Sequence, residues 1–243
     1  MNERKAVVIG VGPSKGLGAA LARRFAREGL TVYVAGRTAE KLERVASEIR
    51  AAGGRAIPFA ADATVESEVI SLFETVSRDP GELDIVACTV DSNRRAPLLE
   101  TSGDMFRELW LQNAYAGFLV GREAARLMVN QGHGTLFFTG ASASLRARPP
   151  FTAFAAAKSA LRALAQGMAR EFGPLGIHVV HVVIDGVIDG DRARNAFPEF
   201  VAQKGDDGLL DLDAIADTYW ALHNQHRSAW TYELDLRPFK ESF

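Results

Sequence analysis

Residues 6–18 read Ala6-Val7-Val8-Ile9-Gly10-Val11-Gly12-Pro13-Ser14-Lys15-Gly16-Leu17-Gly18, an apolar run that ends in a glycine loop. Apolar residues then recur at Leu17, Ala20, Leu21 and Phe25, one face of a helix, and Gly29 supplies a stop. Glycines let a backbone turn tightly and come close to a pyrophosphate, while the unpaired N–H groups and positive end of the following helix favour the anion. A tight βα turn without a ligand is the plainer reading of the glycines alone. The flanking strand, helix and second strand weigh towards nucleotide binding, with Gly12, Ser14, Lys15, Gly16, Leu17 and Gly18 as candidate contacts.

Outward from this unit the pattern repeats. Short apolar, β-branched runs predict strands over 6–9, 31–35, 55–60, 85–88, 135–139, 178–184 and 232–236. Helical periodicity predicts helices over 16–28, 39–52, 65–77, 101–130, 151–172 and 212–224. Runs such as Ala6–Gly10 and Asp84–Cys88 do not alternate in polarity, as expected where both faces of a parallel sheet are covered. The expected fold is α/β: a Rossmann-type, doubly wound, seven-stranded, mainly parallel sheet with helices on both faces, in a single domain over 1–243.

Composition narrows the function classes. Lys+Arg 28 against Asp+Glu 30 in 243 residues gives a net charge of −2, without the basic footprint of a nucleic-acid or membrane-surface protein. The N-terminal apolar run stops at Gly10, too short for a signal h-region or a membrane span. The lone cysteine, Cys88, has no internal disulfide partner, and five scattered histidines offer no zinc spacing, so no metal is expected. A reducing, cytoplasmic setting is the default expectation.

A site that prefers NAD usually carries an acid roughly 20 residues past the loop, on the ribose 2′-hydroxyl. Here that neighbourhood reads Val34-Ala35-Gly36-Arg37-Thr38. Arg37 and Lys15 can be plain surface cations. Read together, they suit a 2′-phosphate, because a guanidinium bonds phosphate oxygens bidentately and a lysine adds a point charge. The expected cofactor is NADP(H) in preference to NAD(H).

Along nearly its whole length the chain resembles the short-chain dehydrogenase/reductase family. Gly12-xxx-Gly16-Leu17-Gly18 matches the family's T-G-x-x-x-G-x-G loop, with Val11 where threonine is usual. Asp62, followed by Ala63, sits where the family's aspartate contacts adenine; Asn113 matches its active-site asparagine and Lys158 the lysine of its Y-x-x-x-K motif. Cys88-Thr89-Val90-Asp91 stands for its N-N-A-G segment, and Asp185 to Gly190 for P-G-x-x-x-T. The resemblance implies cofactor contacts at Cys88, Thr89, Val90, Gly186, Ile188 and Lys158. It also implies hydride transfer between nicotinamide and a carbonyl or alcohol, with a tyrosine as the proton donor or acceptor. In that chemistry the lysine lowers the tyrosine's pKa and holds the nicotinamide ribose, a serine bonds the substrate oxygen, and the asparagine helps hold a relay water.

Four positions before Lys158 stands Phe154, which has no ionisable proton, and the usual serine position falls on Ala141. Ser142, next to it, is a substitute if the loop is irregular there; Ser144 lies slightly beyond. The tyrosine six before the lysine, used by the enoyl-reductase branch, is Thr152, and Tyr115 is turned away from Asn113 on its helix. Asp91, Arg146 and Arg148 fall in loops near the pocket mouth, as polar-substrate contacts or as surface charges. The expected catalytic set is thus Lys158, Asn113 and Ser142. The expected function is an NADPH-preferring oxidoreductase acting on a small molecule with an altered proton-donor site, or alternatively a catalytically silent nucleotide-binding or regulatory protein. Family resemblance further implies a homodimer or homotetramer through the helices over 101–130 and 151–172, and a substrate lid over 189–213.

Overall fold

Every residue of β1 (Arg4–Ile9) after Arg4 is buried. Alternate side chains leave the strand in opposite directions, so Ala6 and Val8 join one apolar cluster while Val7 and Ile9 join another. A strand that is apolar on both faces needs cover on both, which a parallel sheet flanked by helices provides. The computed structural model, which describes residues 3–241, has that arrangement. β1 to β2 (Thr31–Gly36), β3 (Arg55–Ala60), β4 (Glu82–Cys88), β5 (Gly134–Ala141), β6 (Ile177–Ile184) and β7 (Glu233–Leu236) form one sheet in the order β3-β2-β1-β4-β5-β6-β7. All six pairings are parallel.

One face is covered by α1 (Leu17–Arg27), α2 (Ala39–Ala51) and α9 (Leu212–His223), which contribute Leu21, Phe25, Leu42, Ile49, Ile215 and Tyr219 to its core. Three others, α3 (Glu66–Arg78), α5 (Ala116–Gln131) and α6 (Thr152–Phe172), cover the opposite face with Val69, Phe73, Leu119, Met128, Leu161 and Met168. Strand order reverses between β1 and β4, so the connections leaving their C-terminal ends part in opposite directions and open a crevice there. The segment over 189–213 carries two short helices, α7 (Asp191–Ala196) and α8 (Pro198–Lys204), and returns to the sheet end through a bridge between Ile188 and Leu210. No helix among the described residues is long and apolar enough to cross a membrane.

The single helix expected over 101–130 is interrupted. After α4 (Gly103–Trp110), capped by the Ser102 hydroxyl accepting from Met105 N, the chain makes a π-helical turn at Leu111–Tyr115 before α5 begins. Asn113 sits within this turn, and its Nδ2 donates to Leu109 O at 2.8 Å and to Ser92 O at 3.0 Å. The side chain thus occupies the carbonyl four residues back, which a backbone N–H bonds in an α-helix, and the backbone widens around it. Tyr115 stacks between Trp110 and Phe118.

At the opposite end of the sheet, polar residues far apart in sequence gather. His223 Nε2 faces the Arg4 guanidinium at 3.0 Å and must accept there, so its proton lies on Nδ1 and is donated to Thr135 Oγ1 at 2.9 Å. Glu82, Asp84 and His133 bring ligand-type atoms within 4.8 Å of one another nearby, but Arg4 already neutralises Asp84.

Asn113→Ala removes the amide donations to Leu109 O and Ser92 O. We expect a loss of about 1–3 kcal/mol in stability, read from the urea midpoint; an unchanged midpoint would show that the π turn does not depend on the amide. His223 gives a pH dependence. Burial, and then the Arg4 charge, lower its pKa to about 4, whereas the unfolded chain protonates it near 6.5. Between those values the unfolded state binds the extra proton, so stability is full above pH 6.5 and falls as the pH drops towards 4. The melting temperature should fall over that window, and His223→Gln should flatten the fall.

Candidate active site

The crevice is built where the loops after β1, β2 and β4 meet. Gly10 and Val11 both donate their N–H to Ala35 O, at 3.0 and 2.9 Å, and Thr89 donates through N and Oγ1 to Ile9 O. These contacts leave no room for side chains at two positions. A Cβ on Gly10, whose φ is +99°, would lie 2.6 Å from Val90 N, and one on Gly36 would lie 2.4 Å from Val11 O.

The loop fits a pyrophosphate. Gly12 faces open space, with nothing within 4 Å of where its Cβ would be, and Gly18 packs α1 against Val11 and Thr89. α1 opens at Gly16 with no side-chain cap and no acid in its first turn. Its first internal hydrogen bond runs from Ala20 N to Gly16 O, so the N–H groups of Leu17, Gly18 and Ala19 are left to an anion. Ser14 is turned elsewhere: its hydroxyl donates to Glu48 Oε2 at 2.6 Å, and Arg23 holds its carbonyl. Lys15 and Arg37 are exposed on adjoining loops. Asp62, after β3, accepts from Thr64 N and Oγ1 in a tight turn, with Ala63 buried beside it. Cys88 is buried at the end of β4, where burial pushes its thiol up to about 11.

At the floor of the crevice, α6 presents Phe154 and Lys158. Phe154 is buried, and the Lys158 ammonium lies 5.7 Å from its ring centre. Lys158 is 1% exposed; its Nζ donates to Thr139 O and pairs with Asp91 Oδ1, both at 3.0 Å. Asp91 Oδ2 in turn meets Arg192 of α7 at 2.9 Å. Desolvation pushes the Asp91 carboxyl up, but Lys158 and Arg192 outweigh it and hold the group below the usual carboxylate range. Asn113 Oδ1 is buried without a donor among the described residues, the kind of atom a bound water or ligand satisfies.

β5 ends in a 3₁₀ turn at Ser142–Ser144, so the backbone is irregular where the serine is expected. The Ser142 hydroxyl hydrogen-bonds Asp185, whose carboxylate is also held by Arg146 at 2.8 and 2.9 Å and by Arg237. Gly186 packs directly on Pro238, and Ile188 pairs with Leu210. Asp191 N donates to Lys15 O at 2.8 Å, joining the start of α7 to the glycine loop. The structure thus brings Lys158 and Asp91 together, whereas Ser142 is bonded to Asp185 and Ser14 to Glu48. Nothing in the sequence spacing points to Arg192. Only the departure from N-N-A-G at Asp91 signals a local change of chemistry.

Comparison with known proteins agrees with this architecture. A short chain dehydrogenase family model matches residues 5–199. Gluconate 5-dehydrogenase of Gluconobacter oxydans is 35% identical over 193 residues, covering 79% of this chain and 73% of that protein. A crystal structure of a short-chain dehydrogenase from Rhodopseudomonas palustris superposes with a TM-score of 0.83 at 40% identity, over 97% of this chain and 99% of that one. At 24% identity and a TM-score of 0.84, gluconate 5-dehydrogenase from Burkholderia cenocepacia, solved with NADP and tartrate, shares the fold over 98% of this chain and 94% of that one. With its all-parallel sheet, its glycine loop at the β1–α1 junction and Lys158 at the crevice floor, this chain belongs to the short-chain dehydrogenase/reductase family of oxidoreductases.

Proposed function

We propose that the chain binds NADP(H) in preference to NAD(H) and moves a hydride to or from a carbonyl or alcohol carbon of a small molecule, at a proton-transfer centre that lacks a phenol. The observation that carries this reading is Lys158: an ammonium buried at the floor of the crevice, in the family's lysine position, beside the ring of Phe154. The bound dinucleotide supplies or accepts the hydride. The glycine loop and the open α1 N-terminus receive its pyrophosphate, and Lys15 and Arg37 receive a 2′-phosphate. Lys158 holds the ribose next to the nicotinamide, and Asn113 Oδ1 orients a water against the same floor. Phe154 excludes solvent but moves no proton, so the water on Asn113 Oδ1 is the proton-bearing group at hand. The segment over 189–213, tied to Lys15 O through Asp191 N, covers the site as a lid. Because one relative is named a gluconate 5-dehydrogenase, polyhydroxy acids are the first substrates to try.

A second reading, a silent nucleotide-binding protein, is favoured by one observation: the apolar Phe154 at the position of the phenol. The two readings share cofactor binding and part at turnover.

NADPH should raise the melting temperature more than NADH at equal concentration, since only the former carries the phosphate that Lys15 and Arg37 would meet. Equal shifts, or a larger one with NADH, would remove the preference. Phe154→Tyr places a phenol beside Lys158 and should raise carbonyl-reductase turnover on the order of 10²-fold, assayed by NADPH consumption over a panel of ketones, aldehydes and keto acids. No gain on any of them leaves the silent reading standing.

A further inference from the structure

Asp91 stands where the family's N-N-A-G segment ends in glycine, and it brings a carboxylate into contact with Lys158. An ammonium has three N–H donors. Two are used, on Thr139 O and Asp91 Oδ1, which leaves one beyond the contacts made within the described residues. Each Asp91 oxygen meets one cation, Lys158 or Arg192, and keeps lone-pair capacity for a further donor. The Asp91 side chain is 30% exposed and the Lys158 side chain 1%, so an accessible carboxylate sits beside a buried ammonium.

A fixed donor beside a fixed acceptor matches a vicinal diol. One hydroxyl oxygen accepts from the ammonium while a hydroxyl proton goes to the carboxylate. Phe154, the neighbouring ring, offers neither a donor nor an acceptor. The pair lies at the C-terminal ends of the central strands, beside the point where strand order reverses, which is where a nucleotide crosses such a sheet.

We propose that Asp91 is a cofactor-binding residue which, with Lys158, clamps the ribose diol on the nicotinamide side of the bound dinucleotide. This assignment rests on the dinucleotide reading above. Asp91 supplies the acceptor that Phe154 lacks, and Arg192 holds it in place from α7. If Asp91 were instead a plug that competes with the cofactor for Lys158, its removal would change affinity in the opposite direction.

The test is isothermal titration calorimetry on the full chain, comparing wild type, Asp91→Ala and Asp91→Asn. Two probes are used: NADPH, and adenosine 2′,5′-bisphosphate, which carries the adenosine half without the second ribose. Losing a charge-assisted contact should weaken NADPH binding to Asp91→Ala by about tenfold or more, while the bisphosphate changes less than about twofold. Asp91→Asn keeps an acceptor oxygen without the charge and should fall between; it carries the comparison alone if the alanine variant does not fold. Unchanged or tighter NADPH binding in the variants overturns the clamp. So does an equal loss for both probes, which reports damage to the loop. A wild-type chain that binds neither probe defeats the dinucleotide reading itself, and the clamp with it.

Discussion

Close backbone approach at the switch point is the constraint on which the rest of the molecule depends. The loops after β1, β2 and β4 converge so tightly that the chain has no room for a Cβ at Gly10 or Gly36, and Gly18 is nearly as confined against Val11 and Thr89. That convergence pins the start of α1, and with it the direction in which the free N–H groups of its first turn point. It also sets the depth at which β4 ends, and so where Asp91 reaches Lys158 across the crevice. The apolar layers on either side of the sheet supply most of the burial, but they would tolerate many exchanges of similar volume. The glycine contacts would not.

The fold was legible because its signals are local and strong. Seven apolar runs matched seven strands, and unalternating runs such as 6–10 pointed to a sheet covered on both faces. β4 begins at Glu82, earlier than the apolar run from 85, because its charged start lies at the sheet end where Asp84 meets Arg4 and Glu82 meets His133. Periodicity also misjudged residues 101–130, for a reason it cannot register. One side-chain amide, at Asn113, competes for the carbonyl of Leu109 and opens a wider turn. The substitutions at Phe154, Ala141 and Asp91 could be read as departures from a pattern, but their consequences depend on partners distant in sequence. Lys158 lies 67 positions from Asp91, and Arg192 lies 101.

Two of the departures put carboxylates at the rim. Asp185, in place of the proline of P-G-x-x-x-T, gathers Ser142, Arg146 and Arg237 at the end of β6. Asp91, in place of a glycine, gathers Lys158 and Arg192. Each links a sheet end to an element that follows much later in the chain, so the rim is cross-linked by charge where relatives with the usual motif would have neutral backbone. Such pairs are costly to break from one side, because the buried partner is then left uncompensated.

The Asp91 cluster also has a charge sum. One carboxylate facing two cations leaves a surplus of one positive charge at the crevice floor, and neither Lys15 nor Arg37 at the glycine-loop end has an ion-pair partner among the described residues. The crevice therefore carries cations at both ends, with the carboxylates of Asp62 and Asp185 along its rim, in a chain whose net charge is −2. Salt screens exposed charges far more than buried pairs, so rising ionic strength would weaken Lys15 and Arg37 towards an anion while leaving the pairing of Asp91 with Lys158 largely in place.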